Sequence, residues 1–176
     1  KELKFNYEMA AELVIRELKA IDAYIVDTEE RKDSVWKARG AFLEAIKSST
    51  IEMDECDVVV PRSEISDFIK FTYELQEKYK VRIPSFGHAG DGNLHIYICR
   101  DNYSKEEFNI ILEKVFDEMY QRANLVGGLV SGEHGIGFAK KEFMRRQLGD
   151  SQVRLMNGIK RVFDPNNILN PGKICQ

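Results

Sequence analysis

The stretch that most constrains this chain is VRIPSFGHAGDGNLHIYIC, Val81–Cys99. Two runs of extended character flank a turn made of Gly90, Asp91 and Gly92. Glycine reaches backbone angles that other residues avoid, and Asp favours the same tight turns. Such a turn folds the chain back and leaves a pair of strands. Pro84 puts the first run at an edge or a bulge. In the second run His95, Tyr97 and Cys99 share one face, while Ile96 and Ile98 share the other. The fold-back also lets His88 and His95 converge. The chain has only three histidines. The third, His134, stands in SGEHGIG, Ser131–Gly137, a second glycine-rich turn.

Around this pair the chain alternates helices and strands. Met9, Ala10, Leu13, Val14, Leu18 and Ile21 recur at threes and fours, predicting an amphipathic helix over 5–21. AYIVD (Ala23–Asp27) reads as a short strand. Asp33 or Ser34 caps a second helix carrying Val35, Trp36, Ala38, Arg39, Phe42, Leu43 and Ile46. CDVVVP reads as a strand closed by Pro61. RSEI resembles a capping box with Ser63 as cap, opening a helix through Leu75. SKEEFNIILEKVFDEMYQRAN is the clearest helix, capped by Ser104. LVGGLVS is a strand weakened by two glycines. Helices over about 138–148 and 152–163 precede a turn-rich tail, DPNNILNPGKI. The order predicts an α+β fold with a largely antiparallel sheet and helices packed on one face.

Bulk properties remove several functions. A net charge of −3 gives no electrostatic case for nucleic acid. No apolar run approaches the ~20 residues needed to span a bilayer. Cys56, Cys99 and Cys175 are odd in number and far apart, so they fit neither a disulfide framework nor a thiolate zinc site. Cys56 and Cys99 read as small core residues, and a reducing, cytoplasmic setting follows.

Two imidazoles and a carboxylate form a three-ligand set that leaves positions open for water or substrate, as a catalytic divalent metal requires. Each histidine also has a plain reading as a hydrogen-bonded core or surface residue. GHAGDGN is not a phosphate-binding loop, since no Gly-Lys-Ser/Thr follows. GEHGIG lacks the dinucleotide-binding spacing, and neither motif is the H-E-x-x-H helix of zinc peptidases. In extended backbone Glu133 and His134 point apart, so one can face a metal and the other a substrate.

GHAGDGNLH, then SGEHGIG, then FDPNNILNPGK together resemble the C-terminal half of FAD-linked 2-hydroxy acid oxidases and dehydrogenases. That family includes the glycolate oxidase flavin subunit, D-lactate dehydrogenases and D-2-hydroxyglutarate dehydrogenase, within the vanillyl-alcohol oxidase group. The resemblance implies a ferredoxin-like substrate (cap) domain over 1–137, short of its first strand. It also implies a helical return segment over 138–176 that contacts an FAD domain not found in these residues. It makes His88, His95 and Glu133 ligands of a divalent metal (zinc, manganese or iron) and His134 the base that takes the substrate hydroxyl proton. Arg39, in the match to W-x-x-R with Trp36, would bind the substrate carboxylate, and Asn170 of LNPGK would approach the flavin.

Setting the family aside, Arg39 is a solvated or salt-bridged arginine, Asn170 a turn residue and Trp36 a core residue. Asp91 forms the turn and could orient a ligand histidine from behind. Lys140, Lys141, Arg145 and Arg146 form a solvated basic cluster or meet the flavin domain. In the 2-hydroxyglutarate branch a lysine occupies the place of Glu55 and an asparagine that of Tyr97. Both departures lean toward a small monocarboxylate such as D-lactate or glycolate.

The expected partners are a small 2-hydroxy acid, the protein's own FAD domain, and an electron-transfer flavoprotein or iron–sulfur subunit. A sheet edge left exposed invites self-pairing, and a homodimer is among the expectations. The location expected is the cytoplasm, or the membrane periphery. The chain alone should be inactive. The rival readings are a non-catalytic α+β metal-binding module and a metal-dependent hydrolase.

Overall fold

A computed structural model describes residues 2–175. They form two compact units, one ending at Ala45 and the other beginning at Ile46.

The N-terminal unit is helical. Helix α1 (Glu2–Arg16) is followed by α2 (Glu29–Gly40), and the unit boundary falls inside α3 (Phe42–Ser48). The hydroxyl of Thr28 caps α2 by accepting from the Arg31 amide at 3.3 Å, so the cap lies upstream of the expected Asp33 or Ser34. The expected single helix breaks at Ala41, whose N–H turns back to the carbonyls of Ala38 and Arg39. Helix α2 is charged on every side and buries no residue. Trp36, expected in the core, is therefore 71% exposed. Ala23–Asp27 is not a strand. A strand needs a ladder partner, and among the described residues none pairs with this segment.

The C-terminal unit is an α+β layer pair. Strands β1 (Glu52–Val59), β2 (Ser85–His88) and β3 (Asn93–Arg100) form an antiparallel sheet in the order β1-β3-β2. β2 is the edge that Pro84 foretold. Successive side chains alternate between faces. One face carries Cys56, Val58, Leu94, Ile96 and Ile98, all buried in the core with Phe68 and Leu75 of α4 (Ile65–Tyr79) and Phe108, Val115 and Met119 of α5 (Lys105–Leu125). The opposite face carries Glu55, Asp57, His95 and Tyr97. Helix α5 starts at a capping box in which Ser104 and Glu107 satisfy each other's amides at 3.2 and 3.0 Å. Burial pushes the Cys56 thiol up to about 12, so it acts as a core group; all three cysteines are free and buried.

Three local expectations change. β1 begins at Glu52, upstream of Cys56. Arg62–Glu64 forms a single 3-10 turn ahead of α4, and Ser63 makes no capping bond. LVGGLVS contributes only one bridge, Leu129 to Val59, because Gly127 takes a positive φ of 79° and the chain turns away. The two expected C-terminal helices are present within α6 (Lys141–Phe163), separated at Gly149, whose φ of 78° and ψ of 164° are not helical.

The β2–β3 hairpin depends on Gly92. Its φ is +83°, and a Cβ there would stand 2.0 Å from the Val60 carbonyl oxygen. Gly90 has open space around it and no such φ. Gly92→Ala should cost about 2 kcal/mol or more from the left-handed backbone and the clash, whereas Gly90→Ala should lie within about 0.5 kcal/mol of wild type. Urea midpoints of the two variants check this; equal midpoints would refute it.

Candidate metal and proton-transfer site

The hairpin register builds half of the site. His88 pairs with Asn93 and Phe86 pairs with His95, so both histidines fall on the non-core face, diagonal to each other, where long side chains meet. Their ring centroids lie 5.6 Å apart. The turn is closed by the Asp91 and Gly92 amides donating to the His88 carbonyl at 3.2 and 3.0 Å. Asp91 Oδ1 accepts from the Asn93 amide at 3.0 Å; it shapes the turn, and a different carboxylate contacts His95.

The SGEHG loop supplies the other half. Glu133 Oε1 lies 2.9 Å from His95 Nε2 and 3.7 Å from His88 Nε2. The donor atoms of His88, His95 and Glu133 all lie within 4.8 Å of one another. His95 is 6% exposed, against 46% for His88 and 51% for Glu133, so the set opens to solvent on one side. Two imidazoles and a carboxylate with an open side fit a divalent ion that also takes substrate or water. The ring of His134 stacks on that of His95, with centroids 5.0 Å apart and planes 30° apart. Glu133 and His134 thus take different stations around the His95 ring, one at Nε2 and one against its face.

A buried carboxylate holds the loop in place. Asp57 is fully buried. Its Oδ2 accepts from the Ser131 hydroxyl (2.8 Å), the amides of Gly132 (3.2 Å) and His134 (3.1 Å), and the Lys140 ammonium (3.4 Å). Burial alone would raise the Asp57 carboxyl; the Ser131 hydroxyl, the His134 amide and the Lys140 charge outweigh it and hold it below the usual carboxylate value. Gly132 is needed for the approach, because a Cβ there would meet Asn93 Oδ1 at 2.0 Å.

Glu55 is the remaining acid. Oε1 accepts the Tyr97 hydroxyl at 3.0 Å and lies 3.0 Å from His95 Nδ1; Oε2 lies 3.3 Å from His134 Nδ1. Sequence reasoning treated Glu55 only as a departure from the family and passed over Asp57 altogether. The signal was present: in ECDVV, Glu55 and Asp57 alternate with Cys56 and Val58, which places both acids on the face away from the core.

Arg39 and Asn170, the other expected residues, are described within their own segments. Arg39 belongs to the N-terminal unit, half-buried, with its guanidinium 6.0 Å from the Phe42 ring centroid. Asn170 adopts a left-handed turn (φ 48°) in the tail and lines a shallow depression with Met156, Ile159 and Ile174. The tail is organised by Asp164, whose carboxyl is drawn down to about 2 by Lys160 and by the Leu169 and Ile168 amides. The basic cluster after the EHG turn is not one solvated face. Lys140 reaches Asp57, and Lys141 donates to the Gly172 carbonyl at 2.8 Å.

The family described as FAD linked oxidases, C-terminal domain, matches residues 2–174. A D-lactate dehydrogenase of Anaerostipes hadrus is 47% identical over 175 residues, covering 99% of this chain and 37% of the relative. The glycolate oxidase subunit GlcD of Bacillus subtilis is 37% identical over 166 residues, covering 93% and 34%. A D-2-hydroxyglutarate dehydrogenase of Stutzerimonas stutzeri is 32% identical over 157 residues, covering 88% and 33%. The chain spans about a third of the length of these relatives.

Asp57 gives this site a pH signature. A carboxyl lowered by folding contributes stability above its unfolded value, about 4, and loses it as pH falls through that value toward the folded one. Asp57→Asn should cost about 2–4 kcal/mol at pH 7, since it removes the charge that pairs with Lys140 and weakens the bonds of the three other donors. The gap between variant and wild type should shrink below pH ~4. Urea unfolding at pH 7 and pH 3 tests this; a constant gap would refute it.

Proposed function

The chain belongs to the family of FAD linked oxidase C-terminal domains, and on that footing we propose that it is the substrate- and metal-binding part of an FAD-dependent 2-hydroxy acid dehydrogenase or oxidase. The observation that carries the proposal is the convergence of His88, His95 and Glu133 within 4.8 Å, with His134 stacked beside them. His88 Nε2, His95 Nε2 and a Glu133 oxygen would hold the metal, which when bound supplies Lewis acidity toward the hydroxyl and carboxylate oxygens of the substrate. FAD, when bound, supplies the acceptor for the hydride leaving C2.

The chain's own residues do the rest. His134 takes the hydroxyl proton as a neutral imidazole, a base matched to neutral pH. Arg39 grips the substrate carboxylate in two-pronged fashion. The negative Glu55 on the site face disfavours a second carboxylate, which supports D-lactate or glycolate over a dicarboxylate such as 2-hydroxyglutarate.

The segment 138–176 is the surface for the FAD domain. On α6, Leu155, Ile159, Val162 and Phe163 are exposed along one stripe, continued by Ile168, Leu169 and Ile174 in the tail. Exposed apolar surface of that extent marks a contact face. Asn170, among these residues, offers an amide to the flavin ring. An electron-transfer flavoprotein or an iron–sulfur subunit is the partner class that would take the electrons on. No described helix is long and apolar enough to cross a membrane. The buried free cysteines agree with a reducing cytoplasm.

Dye reduction by the full-length protein with D-lactate, glycolate and D-2-hydroxyglutarate tests the proposal. His134→Ala and His88→Ala should each lower kcat/KM by about 10²-fold or more, and chelation should abolish turnover until zinc or manganese returns. Near-normal rates in both variants, or turnover without flavin, would sink it. A preference for the dicarboxylate would overturn the assignment to monocarboxylates.

A further inference from the structure

One carboxylate faces two imidazoles. The rings of His95 and His134 stack at 30°, and the Nδ1 atoms of both point to Glu55, at 3.0 Å from Oε1 and 3.3 Å from Oε2. We propose that Glu55 is a positioning residue that fixes the tautomers of both histidines together, turning the Nε2 lone pair of His95 to the metal and that of His134 to the substrate hydroxyl. This rests on the roles given to those histidines under Proposed function.

The chemistry follows from what a carboxylate can do. An ionised carboxylate only accepts hydrogen bonds. An imidazole nitrogen that faces one with no cation between them therefore carries the proton, and in the neutral ring the lone pair then sits on the other nitrogen. For His95 that nitrogen is Nε2, which lies 2.9 Å from Glu133 Oε1. Two acceptors facing each other at that distance are reconciled by a shared cation. For His134 it is the nitrogen a base must present. Ligand histidines commonly donate their second N–H to a carboxylate, and catalytic histidines do so for the same reason. Here one side chain serves both.

Glu55, His95 and His134 could themselves be read as a ligand set, since their donor atoms also lie within 4.8 Å. The Tyr97 hydroxyl already donates to Oε1 at 3.0 Å, and Tyr97 is buried. The Glu55 side is thus closed by donors, whereas His88 and Glu133 stand open to solvent. The geometry favours Glu55 behind the ligand and not on the metal.

Glu55→Gln separates the two duties. The amide is isosteric but offers one acceptor and one donor. Its oxygen stays with the His95 N–H and the Tyr97 hydroxyl, and its NH₂ then faces His134 Nδ1. That nitrogen must accept, and the His134 proton moves to Nε2. In the full-length protein kcat with D-lactate or glycolate should fall about 10²–10⁴-fold, with KM within about threefold. Zinc affinity by chelator competition should stay within about tenfold of wild type, while Glu55→Ala should lose about 10–100-fold. NMR of histidine-labelled protein, with His134→Ala to identify the signal, should show His134 changing from the Nδ1–H to the Nε2–H tautomer in Glu55→Gln. An unchanged kcat or an unchanged His134 tautomer would overturn the inference. So would zinc affinity abolished by Glu55→Ala but retained by His88→Ala, which would make Glu55 a ligand. Should His134→Ala itself turn over normally, the functional reading fails, whereas the tautomer signal reports on Glu55 independently.

Discussion

β3 is hydrogen-bonded on both sides, to β1 across Glu52–Val59 and to β2 across Ser85–His88. Its register decides two things together. Leu94, Ile96 and Ile98 enter the core with α4 and α5, and that burial leaves His95 and Tyr97 on the other face. Period two permits no intermediate: a slip of one residue would drive His95 into the core and Ile96 out of it. Burying three aliphatic side chains is worth several kcal/mol, and this apolar stake locks the imidazole in position. The chemistry-bearing face is therefore held by hydrophobic packing on the opposite side of the same strand.

The second constraint is the Asp57 carboxylate, which ties that face to a loop more than seventy residues downstream. A buried charge costs free energy unless it is paired and hydrogen-bonded. Asp57 meets that condition only when Ser131, Gly132, His134 and Lys140 are all in place. Loop, sheet and the start of α6 are thereby coupled. Glu133 and His134 inherit their positions from backbone atoms bonded to a side chain that performs no chemistry.

What could be read beforehand follows the range of the forces involved. The hairpin with its two histidines was legible because a Gly-containing turn specifies it within a few residues. Helix α5 was legible because Ser104 and Glu107 close the capping box three positions apart. Glu55 and Asp57 were not recognised as site residues, since their partners lie across a β1–β3 pairing some forty residues away and in a loop farther still. Ala23–Asp27 has strand composition but no ladder partner among the described residues, and Trp36 has core composition on a helix that buries nothing. Composition states what a residue can do; the pairing of distant segments decides whether it does so.

The unequal exposure of the three candidate ligands bears on kinetics. His95 lies in the middle of the sheet, and to displace it the ladder must open, an event near the global stability of the domain. His88 ends a hairpin and Glu133 rides on a loop, and both lie at the solvent boundary. Segments of that kind move on nanosecond to microsecond timescales. An arriving ion would therefore be caught by one fixed nitrogen and then enclosed by two adjustable arms, and it could leave by the reverse route without the sheet unfolding. Residence time would then depend on the hairpin tip and the loop, independently of how stable the fold is.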